Sequence, residues 1–154
     1  MPFQPLPDNT PGKPASFDLG ILVIRLITAF AFIYYELASE LRNAVQYVWE
    51  QSEWSLIDQF AEKGLPLPNV LSVVFVALIT VALLGVAIGI FSRINGILLT
   101  LATGVLLLVP IDFGAAPTPQ TLVLFLGIFL GIALGGAGKI SLDFILAGRK
   151  AKRK

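Results

Sequence analysis

The amino-acid sequence predicts an all-α, polytopic membrane protein: four transmembrane helices in a bundle, with a surface helix or helices between spans one and two. Three observations predict it. Apolar residues make up 56% of the 154-residue chain and charged residues only 14%, against roughly 45–50% and about 25% in a soluble domain. The apolar residues fall in four blocks, each apolar around the whole helix, where a helix on a soluble core would show a polar stripe. Lys and Arg are divided unevenly between the segments that join these blocks. A soluble bundle with buried helices is the competing reading, but four such blocks in so short a chain leave no amphipathic helices to cover them.

Residues 1–17 read as a disordered tail. Pro2, Pro5, Pro7, Pro11 and Pro14 forbid a helix there and favour extended, solvated chain. The tail lacks the basic start and apolar run of a secretory signal. The membrane domain is expected over residues 18–146, and a basic tail over 147–154. A bilayer core of roughly 30 Å takes about 20 helical residues. The first span is expected over residues 19–37, capped by Asp18 or Ser16. The second, over 69–91, follows Pro68. The third, over 94–109, stops before Pro110 and is short enough to need residues from the loop before it. The fourth, over 121–137, lies between APTPQ and Lys139.

In the connector, residues 38–68, Leu41, Val45 and Val48 recur at helical spacing, as do Ile57, Phe60 and Ala61. Trp49 and Trp54, the two tryptophans, favour the headgroup zone, where an apolar ring and a wet N–H are both satisfied. The connector is therefore expected as one or two helices on the membrane surface. A helical extension of span one into solvent is the alternative.

Four spans put the N-terminus, the turn at Ser92 and Arg93, and the C-terminus on one side. That side carries Lys13, Arg93, Lys139, Arg149, Lys150, Lys152, Arg153 and Lys154; the other carries Arg42 and Lys63. Cationic loops stay in the cytoplasm, so both termini are expected inside. The tail GRKAKRK then lies beside the anionic inner leaflet.

The chain has no cysteine and no histidine. Disulfides, Cys/His zinc sites, iron–sulfur clusters and histidine-ligated haem are excluded, as are nucleophilic triads of the common types. No cofactor is expected to be held by this chain itself. No nucleic-acid partner is expected, because the basic residues cluster only at the C-terminal tip. Arg25 is the conspicuous exception inside an apolar block, at a cost of roughly 2.5–3.5 kcal/mol near a bilayer centre. It can snorkel to inner phosphates or pair with an acid inside the bundle. Asp18 and Glu36 share its helix face but lie about 10 and 16 Å away along the axis, so Asp143, after span four, is the better partner. Gly127, Gly131 and Gly135 on span four, and Gly85 and Gly89 on span two, form smooth stripes for close helix packing. Packing within the chain is favoured over a homo-oligomer contact. Glu36, Glu40, Asp112, Tyr34, Tyr35 and Tyr47 would form either a polar outer cluster or simply solvated helix ends. A pocket lined by Tyr, Trp and Phe would suit a quinone or a lipid tail.

Four stretches, in this order, carry a family resemblance: LVIRLITAFAFIYY, KGLPLPNVL, GIFSRINGILL and GAGKISLD. Together they resemble the DoxX family over most of the chain from Asp18 to Asp143. By position, Arg25, Gly64, Leu65, Pro66, Arg93, Gly138, Ser141 and Asp143 match the family's recurrent pattern. Where members often carry a His-Gly pair and a nearby Lys, at the end of span one, this chain reads YYELASE. The resemblance implies a four-helix protein of a prokaryotic inner membrane. It also implies a non-catalytic subunit or scaffold for a membrane-associated oxidoreductase that works with quinone. A small carrier or lipid-handling protein acting through its own bundle cavity is the alternative.

Overall fold

The computed structural model describes residues 16–109, 111–114, 118–136 and 141. The Pro-rich tail up to residue 15, the basic tail, Gly138, Lys139 and Asp143 lie outside the described residues.

Among the described residues the chain is helical, with no strand. Helix α1 (Ser16–Ala31) passes through a π-helical turn (Phe32–Leu37) into α2 (Ala38–Glu50). The apolar helix from Asp18 to Glu50 is thus continuous over 33 residues. Gln51, in the left-handed region, ends it. Then follow α3 (Ser55–Glu62), α4 (Pro68–Ile88), α5 (Ser92–Leu108) and α6 (Pro119–Gly135). Two helices, Asp18–Glu50 and Pro68–Ile88, are long and apolar enough to cross a membrane; α5 and α6, of 17 residues each, are shorter.

Local chemistry sets the boundaries. Pro68 and Pro119 each open a helix, where a missing N–H costs nothing. The Thr118 hydroxyl accepts from the Thr121 N–H at 3.4 Å and caps α6. Helix α4 ends three residues before the apolar run does, because Gly89 (φ +82°) and Phe91 (φ +48°) are both left-handed and turn the chain directly into α5. Hydropathy alone does not see that turn.

Helices α5 and α6 make the most extensive contact in the fold. A Cβ on Gly96 would stand 2.8 Å from the Ala133 nitrogen, so the two backbones approach directly there. Helix α4 packs on α5 on one side and on α1 on the other. On the long first helix Asp18, Arg25, Ala29, Phe32, Glu36, Glu40 and Ala44 are buried, at steps of three, four and seven, so one helical face carries them all. Phe32 reaches across to Phe125 and Phe129 of α6, ring centroids 4.9 and 5.7 Å apart. The outward faces are apolar: Val81 and Leu84 on α4, Ile97, Leu101 and Leu108 on α5, and Leu124, Leu130 and Leu134 on α6 are exposed. An apolar surface this extensive calls for an apolar surrounding.

Two expectations need correcting. The first half of the connector is not a separate surface helix; it continues α1. Leu41, Val45 and Val48 lie on its exposed face, while Glu40 and Ala44 are turned inward. Burial follows Glu40 because its carboxylate finds donors, which an apolar periodicity cannot register. The glycine stripe of α6 meets no helix among the described residues: a Cβ at Gly127, Gly131 or Gly135 would find none of their atoms within 4 Å. Gly96 makes the close approach to α6 instead. Gly85 and Gly89 serve the α4–α5 turn rather than a helix–helix stripe. Gly85 lies against the Asn95 amide, whose nitrogen donates to the Ile90 carbonyl at 2.7 Å.

Candidate functional site

Polar groups are buried at both ends of the long first helix. At the Arg25 end the guanidinium is 0% exposed. Its Nε donates to the Val86 carbonyl at 2.8 Å and its Nη2 to the Ala87 carbonyl at 3.0 Å. These carbonyls belong to the last turn of α4, where backbone acceptors lack intrahelical donors and carry the negative end of the helix dipole. Arg25 therefore does not snorkel to solvent; it caps α4. Gly89 is part of the same arrangement, since Arg25 Nη2 and the Ser141 Cβ occupy the space a side chain there would need. The chain beyond α6 thus comes back, at the buried Ser141, to this point. Asp18 is buried as well. Asp143, the expected partner of Arg25, lies outside the described residues.

The other end holds the candidate site. Glu36 sits in the π-helical turn and is 5% exposed. Its Oε2 has no hydrogen-bond partner among the described residues. Turns of this kind occur mostly as single insertions in α-helices, often at functional sites. Glu40, one turn on, is equally buried but satisfied: Oε2 accepts from the Trp54 indole N–H at 2.7 Å and Oε1 from the Gly114 N–H at 3.3 Å. Gly114 has φ +68°, and a Cβ on it would run into the Glu36 main chain, so only glycine lets the loop before α6 settle on the π-helical turn. Gln59 of α3 fixes the same loop by clasping the Asp112 backbone, donating to its carbonyl at 3.3 Å and accepting from its N–H at 2.7 Å. Phe113, fully buried, stacks edge-on against Phe75, which meets Phe60 of α3 in the same way.

Ser72 adds a second orphan. It is fully buried on α4 and its Oγ has no partner among the described residues. With Arg25 level with Val86 and Ala87, and Tyr47 sharing a pocket with Asn69 and Val70, α4 runs antiparallel to the first helix. Glu36 and Glu40 lie about 16 and 22 Å up that helix from Arg25, and Ser72 about 21 Å back along α4 from Val86. Ser72 therefore falls near the height of Glu40, about one helical turn from Glu36. Buried polar atoms are nearly always hydrogen-bonded, so each orphan marks a place where a further partner belongs.

Of the expected outer cluster, Glu36 and Glu40 come together; Tyr34 and Tyr35 are exposed, Tyr47 rests against Trp54 at 6.0 Å, and Asp112 takes part through its backbone alone. Trp54 is not at a headgroup surface: it is 3% exposed, while Trp49 is 82% exposed. Gly64 (φ +70°), Leu65 and Pro66 form the exposed turn into α4. Arg93 is exposed at the start of α5, its side chain against Gly136. Neither Gln59 nor Gly114 stands out by residue type; the one available signal is the aromatic–glycine pair, Phe113 and Gly114, directly after Asp112.

Replacing Trp54 by phenylalanine removes the indole N–H and leaves Glu40 Oε2 buried without its donor. The expected loss is about 1–3 kcal/mol. Trp49→Phe, on an exposed face, should change stability by no more than about 0.5 kcal/mol. Denaturant titration of the two variants in detergent micelles checks the difference.

Comparison with known protein families, curated proteins and solved structures yields no match to this chain.

Proposed function

We propose that this chain is a four-span protein of a prokaryotic inner membrane, with both termini cytoplasmic, and that it serves as a non-catalytic subunit or scaffold for a quinone-linked redox partner. The apolar outward faces of α4, α5 and α6 support the membrane part of this reading. At about 25 Å each, α5 and α6 sit at the short end of spanning helices, and their tight pairing suits a hairpin crossing twice. The DoxX-like stretches and the eight-to-two division of basic residues support the family and the orientation.

The observation that carries the redox reading is Glu36: a buried carboxylate with a spare acceptor oxygen, in a π-helical turn, with the aromatic cluster of Phe32, Phe125 and Phe129 alongside. A quinol suits these residues in kind: a ring hydroxyl would find its acceptor in Glu36 Oε2, and phenylalanine rings suit its apolar body. When bound, a quinone supplies two-electron redox chemistry. This chain's part is to hold and orient one oxygen through Glu36 and to keep Glu40 anchored by Trp54 and Gly114. With neither cysteine nor histidine, the metal centres that deliver electrons belong to another chain.

Affinity purification from native membranes in mild detergent tests the proposal. A redox-enzyme subunit should co-purify, and Glu36→Gln should lower the quinone-dependent activity of that complex while leaving it assembled. A lone homo-oligomer that moves substrate across liposomes would support the carrier reading instead.

A further inference from the structure

Helices α1 and α6 diverge in their inner halves and leave an open groove of about 330 Å³ between them. Ile21 and Ile24 form one wall and Ile128 and Ile132 the other. Gly131 and Gly135 lie along it with nothing among the described residues within 4 Å of where their Cβ atoms would stand. From Ile128 to Gly136 the groove follows α6 for about 12 Å, close to the roughly 15 Å depth of one bilayer leaflet. It ends at Gly136, where α6 stops. There the Arg93 Nε lies 3.3 Å from the place a Gly136 Cβ would occupy. Arg93 is exposed, and no carboxylate pairs with it among the described residues. In sequence Lys139 follows shortly after.

We infer that this groove is a binding site for an anionic glycerophospholipid of the inner leaflet, one acyl chain lying along Gly131 and Gly135 and the phosphate meeting the Arg93 guanidinium. An apolar slot one leaflet deep with a cation at its mouth has the polarity order of such a lipid and complements its charge. A guanidinium also matches phosphate oxygens in geometry. A second copy docking isologously would bring the same cation from both sides to one rim, a like-charge arrangement. The glycine stripe, free of contacts among the described residues, then provides the smooth face an acyl chain needs. The inference goes beyond the redox reading and depends only on the membrane placement. Loss of that placement would show separately, as a chain that stays in the supernatant without detergent.

The test is native mass spectrometry of the full chain, reconstituted in vesicles of equal parts phosphatidylcholine and phosphatidylglycerol and then extracted in mild detergent. The wild type should retain one phosphatidylglycerol in about fivefold preference to phosphatidylcholine, the discrimination one cation near the membrane surface supplies. Arg93→Gln should abolish that preference while a lipid is still carried. Gly131→Leu, which fills the groove without touching the headgroup end, should lose retention of both lipids. Gly131→Ala is the folding control and should behave as wild type in size-exclusion chromatography. Equal retention of the two lipids by the wild type would overturn the inference, as would retention indifferent to both Arg93→Gln and Gly131→Leu. A wild-type dimer that Gly131→Leu converts to monomer, with lipid adducts unchanged, would overturn it in favour of a second copy.

Discussion

Replacing Arg25 by alanine is expected to destabilise the fold by about 3–6 kcal/mol, the sum of two charge-assisted hydrogen bonds at roughly 1.5–3 kcal/mol each. The Val86 and Ala87 carbonyls lose their donors in a place where solvent cannot replace them, because Arg25 is fully buried. Losses above about 4 kcal/mol are exceptional for single substitutions and come from mechanisms of this kind. Arg25→Lys keeps the charge but not the planar fork that reaches two carbonyls at once, so it should recover only part of the loss. Unfolding of both variants by denaturant in micelles reads the difference. A stability for Arg25→Ala within about 0.5 kcal/mol of wild type would remove Arg25 as the cap of α4.

The second large effect is expected at Gly114. A methyl group there meets the Glu36 main chain, which cannot give way without unwinding the π-helical turn. It also has to be held at φ +68°. The left-handed backbone costs about 1–2 kcal/mol and the overpacking about 1–3 kcal/mol, so Gly114→Ala should lose about 2–5 kcal/mol. Gly64→Ala isolates the backbone part, because Gly64 has a similar φ of +70° and nothing within 4 Å of its Cβ position. It should lose only about 1–2 kcal/mol. Equal losses at the two glycines would mean that the loop before α6 does not rest on Glu36.

These two residues also show what was legible in the sequence. Arg25 stood out at once as a charge in an apolar block. The Val86 and Ala87 carbonyls that it meets did not, because every residue carries a carbonyl, so no residue type marks them. Asp143, the acid expected beside it, lies outside the described residues. The apolar run over residues 69–91 located α4 well, but its end was set by Gly89 and Phe91 in left-handed conformations, which hydropathy does not encode. The connector was misread for a related reason. Leu41, Val45 and Val48 recur at helical spacing, and Glu40 suits a polar cluster or a solvated helix end equally well, until Trp54 and Gly114 are seen to satisfy its carboxylate. The glycine spacing on α6 was visible, yet spacing names no partner. In the fold it faces an open groove, while the close contact falls to Gly96 against Ala133.

Crossing the bilayer four times with both ends in the cytoplasm, as proposed, would put Arg25 towards the inner surface and Glu36 towards the outer. Because the sequence contains no cysteine, single cysteines can be introduced without background. Lys13→Cys, Lys63→Cys, Thr118→Cys and Lys152→Cys sample the N-terminal tail, the turn before α4, the loop before α6 and the C-terminal tail. With a membrane-impermeant maleimide on intact cells, positions 63 and 118 should label directly, and positions 13 and 152 only after permeabilisation. Opposite labelling of positions 13 and 152, or protection of position 118 with exposure of position 63, would contradict the four crossings.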